Sequence, residues 1–222
     1  MNVYDEPREK VCRLNLDLQN HGLVVWTAGN VSERLHDGKS FIIKPSGVKY
    51  SDLTGAMMVV CDLNGNVIDG ELSPSSDTAA HAYVYREMPE VGAVVHTHSN
   101  YASAWAAIQS SIPCALTAMA DEFGGPIPLG PFALIGNDAI GKGIVETLRG
   151  HRSRAVIMKN HGVFTIGTNG EAAVKAAVMC EDVAKTTWIA KTMGNIQEID
   201  QVDIDQLFSR YQNIYGQNKG EA

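Results

Sequence analysis

The chain has 222 residues, of which 45% are apolar and 19% charged; that is enough apolar material for a buried core and too little charge for a disordered chain. The formal net charge is -7 and no basic run occurs, which argues against a broad electrostatic grip on nucleic acid. An anionic small molecule would need a local cationic or helix-terminal pocket. The four cysteines, Cys12, Cys61, Cys114 and Cys180, are far apart and form no CxxC motif, so thiol-based zinc or redox chemistry is not expected. The opening MNVYDEPREK is charged, and no apolar run approaches the roughly 20 residues of a bilayer span. A cytoplasmic protein without membrane contact is the expectation.

No repeat or linker interrupts the chain, so one domain over residues 1–222 is expected. Val11, Leu14 and Leu18 predict a helix from about Pro7 to Asn20, stopped by Gly22. Leu23 to Trp26 and Phe41 to Lys44 read as strands. Met57 to Asp62 and Val67 to Asp69 flank an Asn64-Gly65 hairpin signal. Ser73-Pro74-Ser75-Ser76-Asp77 predicts a helix start running to about Arg86, with Ser and Asp as caps. Val91 to His96 reads as a buried strand and Tyr101 to Ile108 as a helix. Gly124 to Gly136 reads as loop or short strand, and Asp138 to Leu148 as a helix. Ala155 to Lys159 and Val163 to Ile166 are strands around a turn at Asn160-His161-Gly162. Glu171 to Thr192 and Asp203 to Tyr215 are the last helices. Hairpins break any regular strand–helix alternation, which predicts a mixed sheet covered by helices rather than a dinucleotide-binding sheet. Neither GxGxxG nor GxxxxGK[ST] is present.

The most informative segment is Val94-Val95-His96-Thr97-His98-Ser99. Side chains alternate along a strand, so His96 and His98 project from one side and can reach a single ion. A hydrogen-bonded histidine pair without metal fits the same pattern. His161 is a third imidazole, in a tight turn, where it could equally cap a backbone carbonyl. Asp77, in the first turn of its helix, could supply an oxygen ligand or a base, or simply favour the helix dipole. Three imidazoles and a carboxylate suit zinc or a comparable divalent metal such as manganese or cobalt. Lys44-Pro45-Ser46-Gly47 joins small residues to a cation, and Ser75-Ser76 sits at a helix N-terminus; together they could hold a phosphate. Asp121 and Tyr215 are possible proton-transfer groups. His21, His36, His81 and His151 read as surface or helix-end residues.

Seven motifs then fall in order: GNVS (29–32), IKPSGV (43–48), SPSSDT (73–78), VVHTHS (94–99), ADEFGGPIP (120–128), NHGVF (160–164) and IYGQ (214–217). In this ordered set the chain resembles the class II sugar-phosphate aldolase/epimerase family, which also includes the adducin head domain. Within it the chain is most similar to the branch that interconverts L-ribulose 5-phosphate and D-xylulose 5-phosphate.

The resemblance implies a three-layer αβα sandwich around a mixed, largely antiparallel sheet. It also implies a homotetramer with fourfold symmetry and sites near subunit interfaces. His96, His98 and His161 match the family's zinc ligands, and Asp77 matches the acid beside the metal. Asn30, Lys44, Ser46, Gly47, Ser75 and Ser76 match the residues that hold the substrate phosphate. Asp121 and Tyr215 match the acid/base pair of the epimerases. The aldolases of the family usually carry Glu where this chain has Asp77, so the epimerase branch is expected. The reaction implied is cleavage and re-formation of the C3–C4 bond with inversion at C4. The chain departs from better-known epimerases at Met119 and Ala28, where those carry His and Trp, and in having no histidine after His161. Two alternatives accompany this expectation: a zinc-dependent aldolase acting on fuculose phosphate or a related sugar, and a non-catalytic adducin-like module, which the retained histidines argue against.

Overall fold

The computed structural model describes residues 2–215. They form eight strands and seven α-helices, and the strands make one sheet. In chain order the elements are α1 (Asp5–Asn20), β1 (Asn30–Arg34), β2 (Ser40–Ile43), β3 (Val59–Asp62), β4 (Val67–Asp69), α2 (Thr78–Glu87), β5 (Ala93–Thr97), α3 (Asn100–Ala107), α4 (Thr117–Phe123), β6 (Leu129–Gly130), α5 (Ala139–Leu148), β7 (Ala155–Met158), β8 (Val163–Gly167), α6 (Gly170–Met193) and α7 (Gln201–Ile214). The sheet order is β4-β3-β2-β1-β5-β8-β7-β6. All pairs are antiparallel except the edge pair β6–β7.

The expected three-layer architecture is what the chain adopts. Alternation along the strands sends Val94, Phe164 and Ile166 to one face, where they pack with Ala80, Val84 and Tyr85 of α2 and Ile140 and Ile144 of α5. Val31 and Val95 point the other way, against Leu14 and Leu18 of α1 and Ala173 and Ala177 of α6. Helices α3 and α4 cover Ala155, Ile157 and Val163 on that second face. Central strands β5, β7 and β8 are therefore buried on both sides, which explains the apolar runs Ala93–Val95 and Ala155–Met158.

The segment Leu23–Trp26 is not a strand. Gly22 and Gly29 both have positive φ, and Trp26 itself sits at φ 60°, so the run folds as a loop ahead of β1. Its end supplies three carbonyl acceptors: Thr27 accepts from Lys44, and Ala28 and Gly29 accept from the Tyr50 hydroxyl. Helix α4 is absent from the elements expected above. It occupies seven residues and stops at Gly124, whose left-handed φ of 63° closes it. Asp121 lies on this helix.

Candidate metal and anion site

The antiparallel register places Asn30 directly opposite His96, and His96 directly opposite Phe164. His96 lies near the end of β5, His98 follows the strand, and His161 sits in the β7–β8 turn. Asn160 adopts φ 52° there, turning His161 back toward β5. Gly162 permits the approach: a Cβ on it would fall 2.5 Å from the Thr97 carbonyl oxygen and 2.7 Å from Cδ2 of His98.

The result is a triangle of imidazoles. Ring centroids are 4.7 Å apart for His96–His98, 4.8 Å for His96–His161 and 5.3 Å for His98–His161. One ring nitrogen from each lies within 4.8 Å of the others, so the three could hold a metal ion. Nδ1 of His96 donates to the Val163 carbonyl at 2.9 Å, which leaves Nε2 as a lone pair aimed into the cluster. Nε2 of His96 and Nε2 of His98 are 2.9 Å apart, close to the ~3.3 Å edge of a tetrahedron with Zn–N bonds of about 2.0–2.1 Å. Nε2 of His161 is buried without a hydrogen-bond partner. Burial lowers the pKa of His161, helped by His98, and brings that of His96 down to about 3 against the pull of Asp77. Both rings are therefore neutral at neutral pH, the form that binds a divalent cation. Phe164 stacks on His96 at 4.1 Å and locks the ring plane.

Asp77 stands beside this triangle, at the start of α2. It does not cap the helix with its side chain as expected. Its Oδ2 instead accepts from Asn30 at 2.8 Å, and its Oδ1 is buried with no partner. Ahead of the helix, the Ser75 hydroxyl accepts from the Asp77 backbone N–H at 3.3 Å. Burial opposes ionisation of Asp77, yet the imidazoles of His96 and His81 and the Asn30 amide outweigh it and hold the carboxyl below its ordinary value. A second donor of Asn30 reaches Ser75 Oγ at 2.9 Å.

The anion elements adjoin. Ser46 N–H donates to the Ser73 carbonyl and Ser75 N–H to the Lys44 carbonyl, stitching the Ser46-Gly47 turn to the Ser75-Ser76 turn. Gly47 has φ 69°. Ser46, Gly47 and Ser76 are exposed, while Lys44 is only 2% exposed. Its Nζ donates to the Thr27 carbonyl at 3.1 Å, and burial lowers its pKa. Carbonyl oxygens and the Tyr50 ring, 5.0 Å from Nζ, surround this ammonium without a counter-charge, and a phosphate would neutralise it.

Asp121 and Tyr215 are elsewhere. Asp121 is on α4, with Oδ1 buried and unpartnered, and Tyr215 follows α7, 61% exposed and stacked on Tyr211 at 4.6 Å. Helix α7 packs on α4, but neither residue shares a hydrogen bond or ring contact with the three histidines. Gly216 and Gln217 of the IYGQ motif lie outside the described residues. One histidine departs from its expected place: His81 is fully buried, not at the surface. Its signal was available, since it lies four residues after Asp77 and so on the same helical face.

Comparison with known proteins now decides the family. The class II aldolase and adducin N-terminal domain family matches residues 9–188. The chain belongs to that family. Among solved structures, an L-fuculose 1-phosphate aldolase superposes with a TM-score of 0.85 at 24% identity, over 93% of this chain and 96% of that one. YgbL from Escherichia coli, a candidate aldolase/epimerase/decarboxylase, gives 0.78 at 25% identity, over 93% and 99%. L-Fuculose-1-phosphate aldolase from Thermus thermophilus gives 0.72 at 25% identity, over 85% and 96%. No helix among the described residues is long and apolar enough to cross a membrane.

Proposed function

We propose that the chain is a zinc-dependent sugar-phosphate enzyme of the class II aldolase family that epimerises L-ribulose 5-phosphate at C4, giving D-xylulose 5-phosphate. The observation that carries this reading is Asp77. Its carboxyl is buried and tied through Oδ2 to Asn30, so it is held in place beside the imidazole triangle rather than free to swing to the substrate carbon chain. The proton transfers then fall to other groups, for which Asp121 and Tyr215 are the candidates from the family pattern.

His96, His98 and His161 would hold the zinc, with Asp77 at its edge. The orphaned Nε2 of His161, the inward lone pair of His96 and the unpartnered Oδ1 of Asp77 form a donor set that suits a divalent cation. A bound cation supplies Lewis acidity, offsetting the charge that develops when a carbon–carbon bond beside a carbonyl breaks. Lys44, Asn30, the Ser46-Gly47 turn and Ser75-Ser76 would grip the phosphate. That grip retains the two-carbon aldehyde fragment while it turns over, so that its other face is presented to the carbanion. Asp121 and Tyr215 would exchange protons with the C4 oxygen on the two faces. Because they lie on the α4–α7 side, the site they serve is one completed by a neighbouring subunit of a homotetramer.

The second reading is aldol cleavage with release of both fragments, favoured by the fuculose-phosphate aldolases among the matched structures. Incubating the zinc-loaded protein with L-ribulose 5-phosphate separates the two. Accumulation of D-xylulose 5-phosphate without free aldehyde supports epimerisation. Stoichiometric glycolaldehyde phosphate supports cleavage instead, and turnover of L-fuculose 1-phosphate alone would replace the substrate.

A further inference from the structure

His98 and His161 differ from His96 in how they are held. The His96 ring is fixed by its own contacts, the Val163 carbonyl on Nδ1 and the Phe164 stack. The rings of His98 and His161 make no hydrogen bond outside the triangle among the described residues. Their placement is therefore inherited from the backbone that carries them. One helix touches both stretches. Helix α3 starts two residues after His98, and its far end meets the β7–β8 turn. There the Asn160 N–H donates to the Ala106 carbonyl at 3.2 Å, and Gln109 Nε2 donates to Asn160 Oδ1 at 3.3 Å. Asn160 and Gln109 both take left-handed conformations, at φ 52° and 55°, which persist only where the surroundings impose them.

A helix begins with N–H groups that have no partner inside it. Ser99, at the N-cap of α3, leaves them unmet: its side chain makes no cap bond, and its hydroxyl accepts from the Thr97 hydroxyl at 3.4 Å instead. Glu181 meets them from α6. Its Oε1 accepts from the Tyr101 N–H at 2.9 Å, and its Oε2 accepts from the Ala102 N–H at 3.0 Å. A carboxylate there suits the helix dipole, and bonds to an ionised acceptor are roughly twice as strong as neutral ones. Two bonds on two oxygens fix the start of the helix in direction as well as in position. Farther along, Trp105 Nε1 donates to the Ala184 carbonyl at 3.2 Å, so α3 is laid along α6.

We infer that Glu181 is a positioning residue for the imidazole triangle: by clamping the start of α3 to α6 it sets the His98 backbone directly and, through the far end of α3, the Asn160-His161 turn. His96, held by its own partners, does not depend on it. The consequence for zinc rests on the reading of the three histidines as metal ligands; the placement of the rings does not.

Histidine-selective 15N labelling of the metal-free protein tests the placement. In Glu181→Ala the His98 and His161 ring resonances should shift, while Nδ1 of His96 stays protonated at its parent position. Unchanged His98 and His161 resonances, or equal shifts in all three rings, overturn the inference. Zinc titration tests the consequence. Glu181→Ala should weaken zinc binding about 10–100-fold, and Glu181→Gln, which keeps one acceptor oxygen, should lose less. Trp105→Phe cuts the α3–α6 bond in mid-helix and leaves both helix ends tied, so its zinc affinity should stay within about threefold of the parent. Equal losses in Glu181→Ala and Trp105→Phe would mean general loosening of α3 and overturn the positioning role. If the rings respond to Glu181→Ala while the parent itself binds no zinc, the positioning stands and the metal reading of the histidines falls. Should Glu181→Ala fail to fold, Glu181→Gln carries the same readings with the same outcomes.

Discussion

The two ends of the site are built differently. At the sheet end, Asn30, Asp77, His96, His98 and His161 come from distant stretches of the chain and converge through strand register and one tight turn. Their polar atoms are oriented: Nδ1 of His96 by Val163, Oδ2 of Asp77 by Asn30. At the helical end, Asp121 and Tyr215 belong to α4 and the end of α7, which share a core with Ala155, Ile157 and Val163 through Met119, Phe123 and Ile204 and carry polar contacts beside it. Lys175 pairs with Glu122 at 2.7 Å and lies over Tyr211, Tyr211 stacks on Tyr215, and Arg152 pairs with Asp205 at 2.5 Å. The first end is complete within one chain. At the second, Tyr215 is exposed while Asp121 keeps one carboxylate oxygen buried.

The largest effect should come from the first end. His96→Asn should abolish tight zinc binding and lower turnover roughly 10³-fold or more, since several kcal/mol of charge stabilisation are lost at once. Metal analysis and steady-state rates check this; full activity in metal-free His96→Asn protein would remove the metal from the mechanism. Tyr215→Phe should lower turnover roughly 10²–10⁴-fold with zinc content unchanged, the signature of a lost proton-transfer group. The comparison can then be sharpened by co-assembling the two inactive variants. If a site takes its histidines from one subunit and Tyr215 from the next, random mixing should restore about a quarter of the parent activity. No recovery on mixing would mean that both ends serve one and the same chain.

Acid should separate the two ends as well. Burial lowers the His81 pKa from its ordinary value of 6.5 to about 4. Between those values the unfolded chain binds the proton and the folded chain does not, so stability falls as pH drops from about 6.5 to about 4, by about 3 kcal/mol in all. The loss is complete below about pH 4. Urea unfolding across that range should show a shallower decline for His81→Gln than for the parent. Parallel curves would show that His81 is not buried neutral.

What the sequence disclosed and what it hid follow one physical line. The HxH alternation, the Asn160-His161-Gly162 turn and the Asn64-Gly65 hairpin are local signals, and the fold keeps them. The convergence of His161 on His96 is a long-range event that spacing alone does not encode; the family resemblance supplied it. The apolar run Leu23–Trp26 reads as a strand because composition cannot show that Trp26 takes a left-handed conformation between two positive-φ glycines. His81 reads as a surface residue because its partners, Ser32 and Tyr85, come together only when α2 lies on the sheet. Asp77 reads as a cap because nothing local announces Asn30, 47 positions earlier, as its partner.

The smallest effect expected, and the most local, is at Gly162. It has no side chain because none fits: a Cβ would press on the Thr97 carbonyl oxygen at 2.5 Å and on His98 at 2.7 Å, and reach Cε1 of His96 at 3.3 Å. The carbonyl belongs to the end of a central strand and cannot retreat without breaking the β5–β8 register. The imidazole of His98 is exposed and can move. Gly162→Ala should therefore cost about 1–3 kcal/mol of stability through overpacking and, by pushing His98 off the triangle, weaken zinc binding. The α4–α7 end should not sense it: Tyr211 fluorescence and the Lys175–Glu122 pair should match the parent. Unfolding curves and a zinc titration on the same protein check both halves. Loss of stability with intact zinc affinity would mean that His98 tolerates displacement and that His96 and His161 set the site, making the sheet end less tightly specified than its close packing implies.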